Sequence, residues 1–167
     1  MDFLTIVNET ETEFQEIAQK LFDGYAIQTH NGLYRLAELE FYWNSRNHVD
    51  NSTYNRNHVN PKTGEWFFHY SGVDIALKND ELQGYGGILI RSIYDVNKKE
   101  IIKGPMVCVM KLFSESNAFS SYIKTQMIPY KFEKSELQKG ERIGLGDNAK
   151  KNGADKLNYA FKIIPKR

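Results

Sequence analysis

"YAIQTHNGLYRLAELEFYW" (residues 25–43) decides how this chain is read. Two β-type runs flank Asn31-Gly32, a dipeptide whose tolerance of positive φ suits a type I′ turn, so the stretch predicts a hairpin. Alternation along the second strand puts Tyr34, Leu36, Glu38, Glu40 and Tyr42 on one face and Arg35, Ala37, Leu39 and Phe41 on the other. Two carboxylates therefore share a strand face with aromatic rings. A carboxylate enclosed by rings and partly dry takes a raised pKa and serves as general acid or base near neutral pH, which makes Glu40 a catalytic candidate. The alternative at this point is a hairpin edge where both glutamates face water.

Upstream, "TETEFQEIAQKLFDG" carries Phe14, Ile17, Ala18, Leu21 and Phe22 at the spacing of one helical face. Thr10 with Glu13 reads as a capping box and Gly24 as the stop, predicting a helix over 11–23. Downstream, residues 44–64 are asparagine-rich with few aliphatic side chains, the composition of a long functional or mobile loop. "EWFFHYSGVDIAL", "YGGILIRSIYDV" and "GPMVCVMKLF" read as strands, the last also compatible with a helix opened by Pro105. Beyond 114, "SNAFSSYIKTQM" suggests a helix, "GERIGLGDNAKKNGADK" a glycine-rich loop and "LNYAFKII" a closing strand.

At 167 residues, with 41% hydrophobic and 13% aromatic side chains, the chain is expected to form one globular domain, 1–167. The acidic opening "MDFLTIVNETETEF" lacks a basic, apolar leader and no later run is long enough to cross a bilayer, so a cytoplasmic protein without membrane contact is expected. The lone Cys108 sits in an apolar run, reads as a buried structural thiol, and excludes both an intrachain disulfide and a cysteine-based zinc site. The net charge of +1 hides an asymmetry: residues 1–97 hold 7 Lys/Arg against 14 Asp/Glu, and residues 98–167 hold 15 against 7. Gathered on one face, the second group would attract a polyanion; scattered in loops, it is only a solvated surface. "GYGG" (84–87) lacks the order of a phosphate loop, and Ser71 lacks a nucleophile-elbow pattern.

The succession "ELEFY" (38–42), His48, "TYNRN" (53–57), "GEWFFHYSG" (64–72), "GGILIRS" (86–92), "GP" (104–105) and "RIGLG" (142–146) resembles the alkyladenine (3-methyladenine) DNA glycosylase family across the whole chain and in the correct order. The resemblance implies a single α+β domain with a curved, mainly antiparallel sheet and peripheral helices. It also implies a monomeric, cofactor-free, metal-free enzyme that flips a damaged purine out of double-stranded DNA and hydrolyses its N-glycosidic bond. By position, Glu40 matches the catalytic base and Arg91 the arginine beside it, while Tyr42 and His48 match the walls that sandwich the base. The third pocket aromatic falls at Phe68, and the pocket asparagine at Lys78, or at Asn79 with a one-residue shift. DNA contact is implied at Tyr70, Ser71 and Arg142. Two other readings stand beside it: a catalytically silent nucleic-acid or nucleotide binding module on the same scaffold, and a metal-dependent hydrolase assembled from Glu38, Glu40, His48 and Asp50, with His58 and His69 as further ligands.

Overall fold

The computed structural model describes residues 2–56, 61–114, 119 and 125–165, with backbone only for 54–56. The helix expected at 11–23 is α1, Glu11–Gly24, with Thr10 as N-cap accepting the Glu13 N–H at 3.2 Å. Glu13 reaches past the expected capping-box donor and accepts from the amides of Val7, Asn8 and Glu9 at 2.8–3.0 Å, which ties the preceding turn to the helix. The apolar face of α1 is buried as its spacing requires.

Two 12-residue strands form the spine: β2 (Leu33–Asn44) and β5 (Gly84–Asp95). The other strands are β1 (Tyr25–Gln28), β3 (Trp66–His69), β4 (Gly72–Asn79), β6 (Glu100–Lys103), β7 (Gln126–Pro129), β8 (Leu137–Gly140) and β9 (Ala160–Ile163). All pairings are antiparallel, in the order β3-β4-β5-β2-β1-β7, with β6 extending from β5, and β9 and then β8 from the middle of β2. The domain is thus α+β around one curved antiparallel sheet. No helix among the described residues is long and apolar enough to cross a membrane.

The hairpin exists, but its turn is not type I′. Neither Asn31 nor Gly32 takes a positive φ; the loop closes through the Thr29 N–H on the Gly32 carbonyl at 2.9 Å. Strict alternation also fails in the first half of β2. Register shifts on both sides of Glu38 mark a bulge that changes the strand's phase, so Tyr34 and Leu36 join Leu39 and Phe41 in the core. "GPMVCVMKLF" is not a strand but helix α2, Pro105–Phe113, with Pro105 at the first turn and Cys108 and Leu112 buried four residues apart. Burial pushes the Cys108 thiol up to about 12. The helix expected in "SNAFSSYIKTQM" falls largely outside the described residues.

The core lies between the sheet and the helices. Phe14 of α1 stacks on Phe41 at 5.2 Å and meets Tyr159 edge-on, while Phe161 closes on Phe41 from β9. Gly84, Gly86 and Gly87 serve packing rather than phosphate binding. A Cβ at Gly84 would stand 2.1 Å from the Trp43 ring, and one at Gly86 would stand 1.9 Å from the Tyr42 carbonyl.

Candidate active site

The opposite face of the sheet carries the polar residues. Asp74 of β4, Leu89 of β5 and Glu40 of β2 stand in one cross-strand row, and the next row is Ala76, Gly87 and Tyr42. Arg91, two residues from Leu89 on β5, shares this face. Residues 141–156, with the short helix α3 (Asp147–Lys150), lie across it and leave a concave pocket of about 470 Å³. Tyr42, Leu89 and Arg91 line its floor, Tyr70, Ser71 and Pro105 one wall, and Ile143–Ala149 another.

Glu40 lies beneath this floor and is fully enclosed. One carboxylate oxygen, Oε1, accepts the Ile143 N–H and the other, Oε2, the Tyr42 hydroxyl, each at 2.9 Å. Arg91 Nη1 stands 3.5 Å from Oε2 and 3.5 Å from the Ile143 carbonyl. Oε1 keeps a second acceptor direction, whereas Oε2 already meets both Tyr42 and Arg91. The corner formed by Glu40, Arg91 and the Ile143 carbonyl therefore brings a carboxylate, a backbone acceptor and a charged donor together just under the pocket floor.

Of the residues singled out by sequence, Glu40, Tyr42, Arg91, Tyr70 and Ser71 converge on this pocket, with Tyr70 at its mouth and 77% exposed. Four others do not. His48 belongs to the core side: its Nδ1–H donates to the Trp43 carbonyl at 3.1 Å, and Nε2 accepts the Tyr159 hydroxyl at 2.7 Å. The ring also meets Phe14 edge-on, so it is no wall of the pocket. Burial pushes the Tyr159 hydroxyl up to about 12, which keeps it a donor to His48. Phe68 turns to the helix side and packs edge-on against Phe113 at 4.8 Å, because the β3–β4 register gives the pocket face to its neighbour Phe67, opposite Asp74. Lys78 lies a row beyond Tyr42, with its half-exposed ammonium 3.2 Å from Asp80, while Asn79 bonds the Ile6 carbonyl and the amides of Glu81 and Leu82.

Arg142, expected to face DNA, is enclosed. Its guanidinium donates to Asp50 Oδ2 at 2.6 Å, to the Phe41 carbonyl at 3.0 Å and to the Ala154 carbonyl at 2.7 Å. Neither side chain of this pair is exposed. The same guanidinium lies 4.7 Å from the centre of the Tyr42 ring, fixing that ring from one side. The metal-hydrolase set is dispersed as well: His48 is committed to Trp43 and Tyr159, Asp50 to Arg142 and Ser52, and Glu38 lies beside Ser92. No group of three His, Cys, Asp or Glu fit to hold a metal occurs among the described residues, and His58 lies outside them.

The structure adds residues that sequence reading missed. Ser52 reaches the pocket from the short turn after Asp50, and the Ile143 amide supplies a donor to Glu40. The signal for the second was present in the glycine-spaced "RIGLG", which lets backbone approach a side chain closely. His69, expected above as a further metal ligand, instead forms a buried pair with Asp74 at 2.9 Å on the pocket's side of the sheet. Because Asp74 accepts from Nε2, the His69 Nδ1 is the acceptor of the Ser71 N–H at 3.3 Å, which braces the Tyr70–Ser71 turn.

No family model matches the chain. It is similar to uncharacterized protein L759 of Acanthamoeba polyphaga mimivirus, 28% identical over 177 residues, covering 82% of this chain and 80% of that protein.

Proposed function

We propose that the Glu40 pocket hydrolyses the N-glycosidic bond of a modified purine nucleotide extruded from duplex DNA, with Glu40 as general base. The observation that carries this reading is that Tyr42, Arg91 and Ile143, which line an open pocket, all meet the Glu40 carboxylate directly beneath its floor. Water attacks the sugar carbon, Glu40 takes a proton from it, and the bond to the base breaks with its electron pair leaving on the purine. Positive charge develops at the sugar as this happens, and the Glu40 carboxylate stabilises it. Tyr42 offers one ring face to the base, and Tyr70 and Ser71 stand where the backbone of an extruded nucleotide would enter. The Arg142 guanidinium behind Tyr42 is paired with Asp50, and Arg91 stands 3.5 Å from Glu40, so the charges around the pocket floor balance.

A second reading, a silent binding module, is favoured by one feature: both Glu40 oxygens already accept a hydrogen bond. Duplexes carrying either a deaminated or a 3-alkylated adenine, scored for alkali-labile abasic sites, separate the two. Glu40→Gln keeps the shape of the site, since its carbonyl still accepts from Ile143 while its amide donates to the Tyr42 oxygen. Excision falls by at least ~10², the usual size of a general-base contribution, while binding persists. Binding without excision by the unaltered protein establishes the silent module. Excision undiminished in Glu40→Gln refutes Glu40 as base.

A further inference from the structure

A second concavity, of about 360 Å³, opens where Arg35 of β2 and Tyr94 of β5 meet, between the β5–β6 turn and residues 130–133. This volume lies at the lower end of the ~300–1,000 Å³ typical of small-molecule sites. Lys99 and Lys131 line it together with Tyr94, Tyr130 and Phe132. The Tyr130 and Phe132 ring centroids are 4.6 Å apart, and Tyr130 is 39% exposed, so part of an aromatic platform is open to a ligand.

Both walls are held by backbone. The Tyr130 and Phe132 amides donate to the Gly24 and Asp23 carbonyls, each at 2.9 Å, which pins this segment to the end of α1. On the other side, Asp95 Oδ1 accepts the amides of Asn97 and Lys98, and the Asp95 carbonyl accepts that of Lys99, whose φ is 56°. The floor is already neutral: Arg35 is bound to Asp23 at 2.9 Å and lies 4.6 Å from the centre of the Phe132 ring. Desolvation by burial lowers its pKa.

Ion pairing separates these lysines from two of the three beside the Glu40 pocket, Lys151 there also having no ion-pair partner among the described residues. Lys150 and Lys156, in the segment that walls that pocket, pair with Asp147 and with Glu141 and Asp155. Lys98, Lys99, Lys131 and Lys134 have no ion-pair partner among the described residues, and Glu133 is the single acidic residue of the lining. Within the lining, the charges of Lys99 and Lys131 are thus opposed by Glu133 alone. Ammonium groups beside an open ring suit a ligand that is both anionic and flat. An acidic peptide would use the charges and leave the platform idle.

We infer that this cleft is a nucleotide-binding subsite, taking a phosphate between Lys99 and Lys131 and a base on Tyr130. It does not depend on what occupies the Glu40 pocket. The test uses the full chain with a fluorescent single-stranded DNA 12-mer in anisotropy titrations, and with 5-iodouracil in that strand or in free 5-iodo-dUMP for photo-crosslinking mapped by mass spectrometry. A Lys99→Glu/Lys131→Glu variant, its fold checked by circular dichroism, loses at least tenfold in affinity for the strand, and its salt slope falls by about 1.4, the equivalent of two phosphates. Tyr130→Ala weakens binding about 5- to 150-fold, as loss of base–aromatic stacking predicts. An adduct on Tyr130 with the strand alone identifies a nucleic-acid contact, and one formed equally by the free nucleotide identifies a mononucleotide site; both support the proposal. Unchanged strand affinity in the double lysine variant overturns it. Adducts confined to Tyr42 or Tyr70 do so as well, and they support the Glu40 pocket separately.

Discussion

Removing Arg142 measures how far one buried ion pair holds the candidate site together. In Arg142→Met the Asp50 carboxylate stays enclosed without its cation, and the Phe41 and Ala154 carbonyls lose their donors. Breaking a buried pair by deleting one partner costs about 3–5 kcal/mol, and this pair has no exposed side-chain surface through which water can compensate. A domain of ordinary stability has about 5–15 kcal/mol in total, so this one change consumes a large part of it. Asp50→Asn alone leaves the guanidinium uncompensated and is costly for the same reason. The double variant removes both charges and costs less than the sum, with a coupling of about 2–3 kcal/mol. Urea unfolding followed by the fluorescence of the fully buried Trp43 gives the four stabilities of the cycle. Amide exchange at Ile143, adjacent to Arg142 and bonded to Glu40, should accelerate in Arg142→Met. A loss below 1 kcal/mol, or strict additivity in the double variant, would show that the pair does not anchor the 141–156 segment.

Gly87→Ala places a Cβ 2.4 Å from Asp74 Oδ2, and Asp74 cannot swing aside because it is buried and bound to His69; the cost is about 1–3 kcal/mol, read by thermal unfolding, and an unchanged melting temperature would refute the close packing. Alkaline pH destabilises the fold through Cys108 and Tyr159, both pushed up to about 12 by burial. The folded state holds these protons more tightly than the unfolded chain, so their contribution is complete below about pH 9 and is lost as pH rises towards about 12. Urea midpoints in that window should fall steeply, and Cys108→Ala should flatten the fall.

Much of the architecture was legible because it rests on local periodicity. The five apolar positions of α1, the strand-forming runs around residues 25–43 and the burial of Cys108 follow from spacing and composition alone. That Glu40 and Tyr42 share one face was legible too, since pairing is regular from Leu39 to Asn44, while the strand pattern left open whether that face met water. What alternation could not reveal was the irregularity at Glu38, across which the core-facing positions pass from Tyr34 and Leu36 to Leu39 and Phe41, and nothing in "RLAEL" marks it. His48 was misplaced because the Asn44–Asp50 turn folds back on itself through Ser45, whose side chain accepts the His48 amide and whose own amide donates to the His48 carbonyl. Phe68 and Phe67 exchange roles with a single step of register, which residue order does not specify. The Arg142–Asp50 pair joins residues 92 positions apart, so its burial emerges only once β2 and the late segment are brought together.

Strand β2 runs beneath both clefts. Arg35 floors one and Glu40 underlies the other, five positions further on, about 17 Å at the rise of a β-strand, or roughly five nucleotide steps of a B-form strand. Because one continuous strand contributes to both floors, their separation is set by covalent geometry rather than by a hinge. A nucleic acid long enough to reach both clefts would therefore be held by a rigid two-point clamp. After the first cleft engages, the second meets its nucleotide at an effective concentration fixed by this spacing, and avidity gains of about 10²–10⁴ become available without any new contact. Two clefts that each bind a nucleotide only at millimolar levels would then retain one strand at about ten micromolar or below, and a strand too short to bridge them would gain nothing.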